Sequence, residues 1–276
     1  MKVALIQMSS SDDPATNLAE ATAVIAEAVK NGAEFILTPE ITNCVSGSRD
    51  LQRKIFRTES DDPTLTGLRD AAKQHVAWLL IGSLGLLSGD ADGRFANRSF
   101  LIDPQGQITA RYDKIHMFDV DLGTGESFRE SAAYRPGQRA VLAETPFAKI
   151  GMTICYDVRF PHLHRALAQA GAEILTVPAA FAMTTGRDHW ETLLRARAIE
   201  TGCYILAPAQ CGTHRSSIGH IRQTWGHSLA IDPWGKILAD GGTEPGVIIV
   251  DIDLAAVRQA RARVPALQHD QRFTGP

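Results

Sequence analysis

Cysteine is scarce in this chain: four residues, at 44, 155, 203 and 211, among 276. None forms a C-x-x-C pair and no Cys/His spacing resembles a zinc site, which removes the disulfide-stapled and zinc-ribbon classes. Few, scattered cysteines point to a reducing compartment. An excess of one charge is also lacking. The net charge of −3 gives no reason to expect nucleic acid or a membrane surface as a partner. The one basic cluster, Arg258, Arg261 and Arg263, reads as the solvated face of a last helix. No apolar run reaches the roughly 18 residues that span a bilayer. Residues 2–8 already read as a strand, so no signal or transit peptide is expected before the fold. These absences leave a soluble, cytoplasmic protein as the expectation. With 44% hydrophobic and 21% charged residues the composition is globular, and the length fits one large α/β unit over 1–276.

What is present is an alternation of short apolar strands and amphipathic helices. KVALIQM (2–8) and FILTP (35–39) read as strands. Between them, 14–30 has helical spacing through Leu18, Ala21, Val24, Ile25, Ala28 and Val29, stopped by Asn31-Gly32. A helix over 66–75 and a strand over 78–82 follow. Residues 100–102 and 108–112, joined by Asp103-Pro104-Gln105-Gly106, read as a hairpin. Strands over 148–154, 173–178, 203–209 and 224–231 and helices over 161–170 and 188–201 then repeat the series. Three segments recur in order: KVALIQM as KIGMTIC at 149–155, GAEFILTPE as GAEILTVPA at 171–179, and SFLIDPQGQI as SLAIDPWGKI at 228–237. Two similar halves, each a half-sheet with one helical face, predict a four-layer α-β-β-α sandwich.

The halves differ where chemistry is expected. Pro39 matches Pro178, yet Glu40 follows one and Ala179 the other, while Cys155 stands where Met8 does. Both reactive residues fall at the C-terminal ends of strands, where α/β sheets place their sites. A thiol there, turning into a helix, can be exposed next to backbone N–H groups; the plain alternative is a buried core cysteine. Glu40 can serve as a general base, or start a surface loop. Lys114, in RYDKIHMFD, sits among Tyr112, Ile115, Met117 and Phe118, so it can stabilise charge on a substrate oxygen or simply snorkel.

The ordered set ILTPE, YDKIHMFD, GESFRES, YRPG, ICYDVRFP, PAAF, TTGRDHWETLLRARAIE, APAQCG and GHSLAIDPWG resembles the nitrilase superfamily of carbon–nitrogen hydrolases over nearly the whole chain. The resemblance implies a single carbon–nitrogen hydrolase domain with a Glu–Lys–Cys triad. Glu40 is then the base, Lys114 the second member and Cys155 the nucleophile. A second glutamate near the triad falls on Glu130, with Glu126 the alternative. The thiol attacks a small-molecule carboxamide, Lys114 and the Tyr156 backbone N–H hold the oxyanion, ammonia leaves, and water releases the acid from a thioester. No metal or organic cofactor is required. A Cys–His hydrolase finds no histidine in a motif to pair with Cys155. A binding protein that kept the fold and lost the chemistry is the rival of another class.

CYDVRFP, HWETLLRARAIE, AQCGTH and GHS look most like the branch acting on deaminated glutathione; the neighbouring branch, ω-amidase, cleaves 2-oxoglutaramate. Both substrates carry carboxylates, so an arginine is expected in the pocket. Arg159 is the first candidate, with an ion pair to Asp157 as its alternative; Arg187 and Arg215 are weaker. His116, Phe118, Thr185 and His189 are further candidate pocket residues. The resemblance also implies a homodimer or higher homo-oligomer, expected to use the helix after Arg159 through Leu163 and Leu167.

Overall fold

The computed structural model describes every residue except 124, 126, 220, 221, 272 and 276. The first half runs β1 (Lys2–Gln7), α1 (Pro14–Lys30), β2 (Phe35–Leu37), α2 (Arg49–Ile55), α3 (Pro63–His75), β3 (Trp78–Leu87), β4 (Phe95–Ile102) and β5 (Ile108–Asp113). A small hairpin follows, β6 (Asp119–Asp121) and β7 (Ser127–Arg129). The second half comprises β8 (Val141–Glu144), β9 (Lys149–Met152), α4 (Pro161–Gln169), β10 (Ile174–Thr176), α5 (Met183–Thr201) and β11 (Tyr204–Ala207). It continues through β12 (Cys211–His214), β13 (Arg222–Trp225), β14 (Leu229–Ile231) and β15 (Ile237–Asp240). The chain then closes with β16 (Gly246–Asp251) and α6 (Ala255–Arg263).

One six-stranded sheet has the order β16-β1-β2-β3-β4-β5 and the other β15-β14-β11-β10-β9-β8. In each, three parallel strands form the centre, a DPxG hairpin extends one side and an antiparallel strand closes the other. The three recurring segments fall on β1 and β9, β2 and β10, and the β4–β5 and β14–β15 hairpins. The halves inferred from sequence are therefore halves of the fold.

The strand period of two sorts the layers. Val3 and Leu5 of β1 join Phe35, Leu37, Ile150, Met152 and Ile174 between the two sheets. Ala4 and Ile6, their alternates, pack outward against Ala21, Ile25 and Ala28 of α1 and Leu65 and Leu68 of α3. On the far side Leu163 and Leu167 of α4 and Trp190 and Leu194 of α5 cover the second sheet. The result is the α-β-β-α sandwich.

Local chemistry explains where elements begin and end. Asp13 caps α1 by accepting from the Ala15 N–H, Pro14 opens it, and Gly32 at φ +88° turns the chain back. The helix expected from 66 starts at Pro63, because Asp62 accepts from the Leu65 N–H and Pro supplies a preset first turn. The helix expected from 188 starts at Met183 and contains Gly186, against which Trp225 packs too closely for any side chain. The single strand expected over 224–231 is two, broken at Gly226 (φ +75°) and His227 (φ +52°). The last helix is not a purely solvated face: Arg261 is half-buried and donates to the Thr201 and Ala172 carbonyls, and Arg263 lies over the Trp234 ring. Leu163 and Leu167 are spent on the chain's own core, so they present no face to a second copy. No helix among the described residues is long and apolar enough to cross a membrane.

Candidate active site

Four chain segments deliver side chains to one spot at the C-terminal ends of the parallel strands. Glu40 stands three residues after β2, Lys114 directly after β5, Glu130 directly after β7 and Cys155 three residues after β9. Each lies past a strand end because a strand interior would commit its side chain to a packed layer. Cys155 adopts φ +49°, a left-handed conformation unfavourable for a residue with a Cβ, and opens a 3-10 turn over Cys155–Arg159. Its N–H is anchored on the Pro178 carbonyl at 2.9 Å.

Lys114 is the hub. Its Nζ lies 2.9 Å from Glu40 Oε1 and 2.9 Å from each carboxylate oxygen of Glu130. Glu40 also accepts from Asn97 Nδ2 at 2.9 Å and from the Ala180 N–H at 2.8 Å, and the Cys155 thiol stands beside it. Glu130 accepts a further bond from the Phe118 N–H at 2.6 Å. Glu40, Lys114 and Cys155 are all buried. Burial alone would raise the Glu40 carboxyl, but the Lys114 ammonium and bonds from Lys114, Cys155 and Asn97 outweigh it and hold it below the ordinary value. Burial would lower Lys114, yet Glu130 and Glu40 carry it well above its ordinary value. Burial and the Glu40 charge push the Cys155 thiol well up. The resting cluster is therefore a thiol, a carboxylate and an ammonium. A proton acceptor thus stands beside the thiol that must lose a proton.

These groups line a cavity of about 700 Å³, which also takes in Phe118, Tyr134, Tyr156, Phe181 and Thr185. Phe118 and Thr185 are thus in its lining, and the buried Thr185 hydroxyl has no hydrogen-bond partner among the described residues. The Tyr156 N–H meets no acceptor among the described residues. Of the two alternatives for the second glutamate, Glu130 contacts Lys114; Glu126 lies outside the described residues.

Other expected pocket residues are elsewhere. Arg159 does not pair with Asp157 and is not in the cavity lining. It contacts His189 Nδ1 at 3.2 Å and lies 5.3 Å from the Phe181 ring centre and 5.8 Å from that of Tyr156. His189 is therefore a partner of Arg159 and also lies off the cavity. Arg187 pairs with Asp188 and Arg215 with Glu20, both at the surface. His116 is withheld from the cavity by two contacts, a 3.5 Å stack on Phe160 and a 2.7 Å contact to Asp157 Oδ1.

Sequence reasoning missed Asn97, Ala180 and the true role of Asp157. Asp157 is fully buried and gathers Tyr112 Oη (2.6 Å), the Ile154 N–H (2.9 Å) and the His116 N–H (3.0 Å). It ties both flanks of Lys114 to the turn holding Cys155. A buried polar residue in the strand FANRSFLI was a legible hint for Asn97. Nothing local marks Ala180, which acts through its backbone. Among the described residues no three His, Cys, Asp or Glu side chains converge as a metal site.

The carbon–nitrogen hydrolase family model matches residues 2–262. The chain is 40% identical over 270 residues to the deaminated glutathione amidase of Yersinia enterocolitica, covering 98% of this chain and 92% of that one. It is 38% identical to the human protein of the same name, covering 97% and 81%. Among solved structures, a Saccharomyces cerevisiae member of branch 10 of the nitrilase superfamily superposes with a TM-score of 0.86 at 29% identity, covering 99% and 97%. An amidase from Nesterenkonia sp. AN1, solved with acrylamide added at its active-site cysteine, gives 0.78 at 27%, covering 96% and 98%. With its fold, its full-length relatives and this buried cluster, the chain belongs to the carbon–nitrogen hydrolases of the nitrilase superfamily, enzymes that cleave carbon–nitrogen bonds other than peptide bonds.

Proposed function

We propose that the protein is a cysteine-dependent amidase whose substrate is a small carboxylated amide, deaminated glutathione foremost. The observation that carries the reading is the 2.9 Å contact of Glu40 with Lys114, with both residues and Cys155 at the wall of one cavity. A binding protein has no use for a buried carboxylate held ionised against a thiol, an arrangement that costs desolvation.

In the proposed reaction Glu40 takes the Cys155 proton as sulfur bonds to the amide carbon. The carbonyl oxygen becomes an oxyanion facing the Lys114 ammonium and the Tyr156 N–H. Glu40 returns the proton to the departing nitrogen, the C–N bond breaks and a thioester remains. Water then attacks, Glu40 receives its proton, and the acid leaves as the thiol is restored. Glu130 is a positioning residue, since its two oxygens hold Lys114 and its link to the Phe118 N–H holds the base of the β6–β7 hairpin. A primary carboxamide releases ammonia. The γ-linkage of glutathione is a secondary amide, so its deaminated form releases cysteinylglycine.

The test is product analysis with deaminated glutathione, 2-oxoglutaramate, glutamine, a nitrile and an N-carbamoyl amino acid. Cysteinylglycine and 2-oxoglutarate from the first supports the reading; preference for 2-oxoglutaramate moves the substrate to the ω-amidase side. No turnover of any amide by folded protein refutes an amidase. A homodimer is also proposed, supported by exposed Ile199, Trp234 and Val264 sharing one groove. Light scattering should give twice the 29.9 kDa chain mass. A cytoplasmic site of action is supported by four cysteines that are all free.

A further inference from the structure

The base of the proposed reaction sits on a strained turn. Ile41, directly after Glu40, is buried and has φ +53°, where a β-branched residue is a genuine outlier. Turning over the Glu40–Ile41 peptide would return Ile41 to the ordinary extended region, so the turn persists only because its surroundings hold that peptide. Both ends of the peptide are held. Its N–H donates to Ser83 Oγ of β3 at 2.8 Å. Its carbonyl, that of Glu40, accepts from Gln210 Nε2 at 3.0 Å.

Gln210 lies between β11 and β12, is fully buried, and is not in the cavity lining. Ser10 fixes which way its amide points. The Ser10 N–H donates to Oε1 at 3.0 Å, which turns Nε2 toward Ser10 Oγ, at 2.9 Å, and the Glu40 carbonyl. The backbone of Gln210 reaches the other end of the same glutamate. Its N–H donates to the Ala179 carbonyl at 2.8 Å, and the N–H of that same peptide unit, on Ala180, donates to Glu40 Oε2 at 2.8 Å. One residue therefore grips Glu40 directly at its backbone and, through one intervening peptide, at its carboxylate. The grip also crosses between the sheets. Glu40 follows β2 of the first sheet and Cys155 follows β9 of the second, so their spacing depends on a tie from one half to the other. Gln210 continues from β11 of the second sheet and bridges Met8, just past β1 of the first.

We infer that Gln210 is a positioning residue: it pins the Glu40–Ile41 peptide and so sets the base against Cys155. The inference rests on the amidase reading above and adds a residue that touches no substrate. It gives the AQCG segment a role in aiming the base.

Kinetics separate this role from plain packing. Gln210→Met keeps the length of the side chain and removes its hydrogen bonds. With deaminated glutathione and 2-oxoglutaramate, kcat should fall about 30- to 100-fold with KM within about twofold, as for a displaced catalytic group. Repeated in the presence of Ile41→Gly, the loss caused by Gln210→Met should shrink about tenfold, because glycine takes a positive φ as readily as a negative one and no strain drives the peptide over. Equal losses in the two backgrounds, or a lowered Tm with kcat intact, overturn the inference. Iodoacetamide alkylation of Cys155, read by mass spectrometry, makes the comparison without an amide. Its rate should drop about tenfold in Gln210→Met, since a misplaced base generates less thiolate, and an unchanged rate overturns the inference. If the wild type turns over neither amide, the amidase reading fails on its own and the alkylation rate still decides the role of Gln210. Should Gln210→Met not fold, Ser83→Ala frees the other end of the same peptide. A lowered kcat at constant KM then supports the pinned turn, and a wild-type kcat overturns it.

Discussion

Asp157→Asn separates the clamp from the chemistry it holds. Asp157 Oδ1 receives the His116 N–H at 3.0 Å and faces His116 Nδ1 at 2.7 Å, and Oδ2 receives Tyr112 Oη at 2.6 Å and the Ile154 N–H at 2.9 Å. An asparagine keeps one accepting oxygen. Its amide would then face either the Ile154 N–H or the His116 N–H, donor against donor, in a fully buried site. The Tyr112 hydroxyl can rotate to accept; a backbone N–H cannot. One stranded buried donor costs about 1–3 kcal/mol, and the surviving bonds lose the roughly twofold strength that ionic charge gave them. A total near 3 kcal/mol lowers Tm by about 6–12 °C in a chain of this length. The same bonds join both neighbours of Lys114 to the turn carrying Cys155, so their geometry loosens together and kcat should fall about 10- to 100-fold with KM little changed. Scanning fluorimetry and steady-state kinetics on one preparation read both effects. A Tm within about 2 °C of wild type, or a large Tm loss with kcat intact, would refute the clamp.

Cys155→Ala should fold normally and lose turnover by about three orders of magnitude or more; full product formation by the folded variant rules out the mechanism. Glu40→Gln should block acylation, since an amide takes no proton from the thiol, and a thioester burst in that variant would contradict this. Because Glu40 is held below its ordinary 4.5, it stays ionised as pH falls from 7 to 5. kcat/KM should have no acid limb near pH 6, and the Lys114–Glu40 contribution to stability, present above 4.5, is lost only as pH drops through the depressed folded value; an activity midpoint near 6 would count against the assignment. Gly82→Ala brings a Cβ within 2.1 Å of the Thr38 carbonyl and 2.5 Å of the Pro39 carbonyl, both just ahead of Glu40. It should cost about 1–3 kcal/mol and reduce kcat, and a fully active, equally stable variant would show that the Glu40 turn is not held there.

Much of the molecule is written locally. The alternation of strand and helix, the repeat of KVALIQM, GAE and DPxG segments, and the apolar stripes of α1 and α3 follow from side-chain period and turn chemistry, which act over a few residues. The same locality exposes Glu40, Lys114 and Cys155 as reactive groups just past strand ends. Other features depend on segments far apart in the chain. Glu130 reaches Lys114 only because the β6–β7 hairpin folds back, and Asn97 and Ala180 meet Glu40 across separations of 57 and 140 residues. Arg159 shows the limit from the other side: four residues from the nucleophile in sequence, it is turned by the 3-10 geometry onto the Tyr156 and Phe181 rings. Sequence determined which residues are reactive because reactivity is carried by residue type and local backbone. Only the packing of two sheets decided which of them touch, because hydrogen bonding and desolvation act through space and not along the chain.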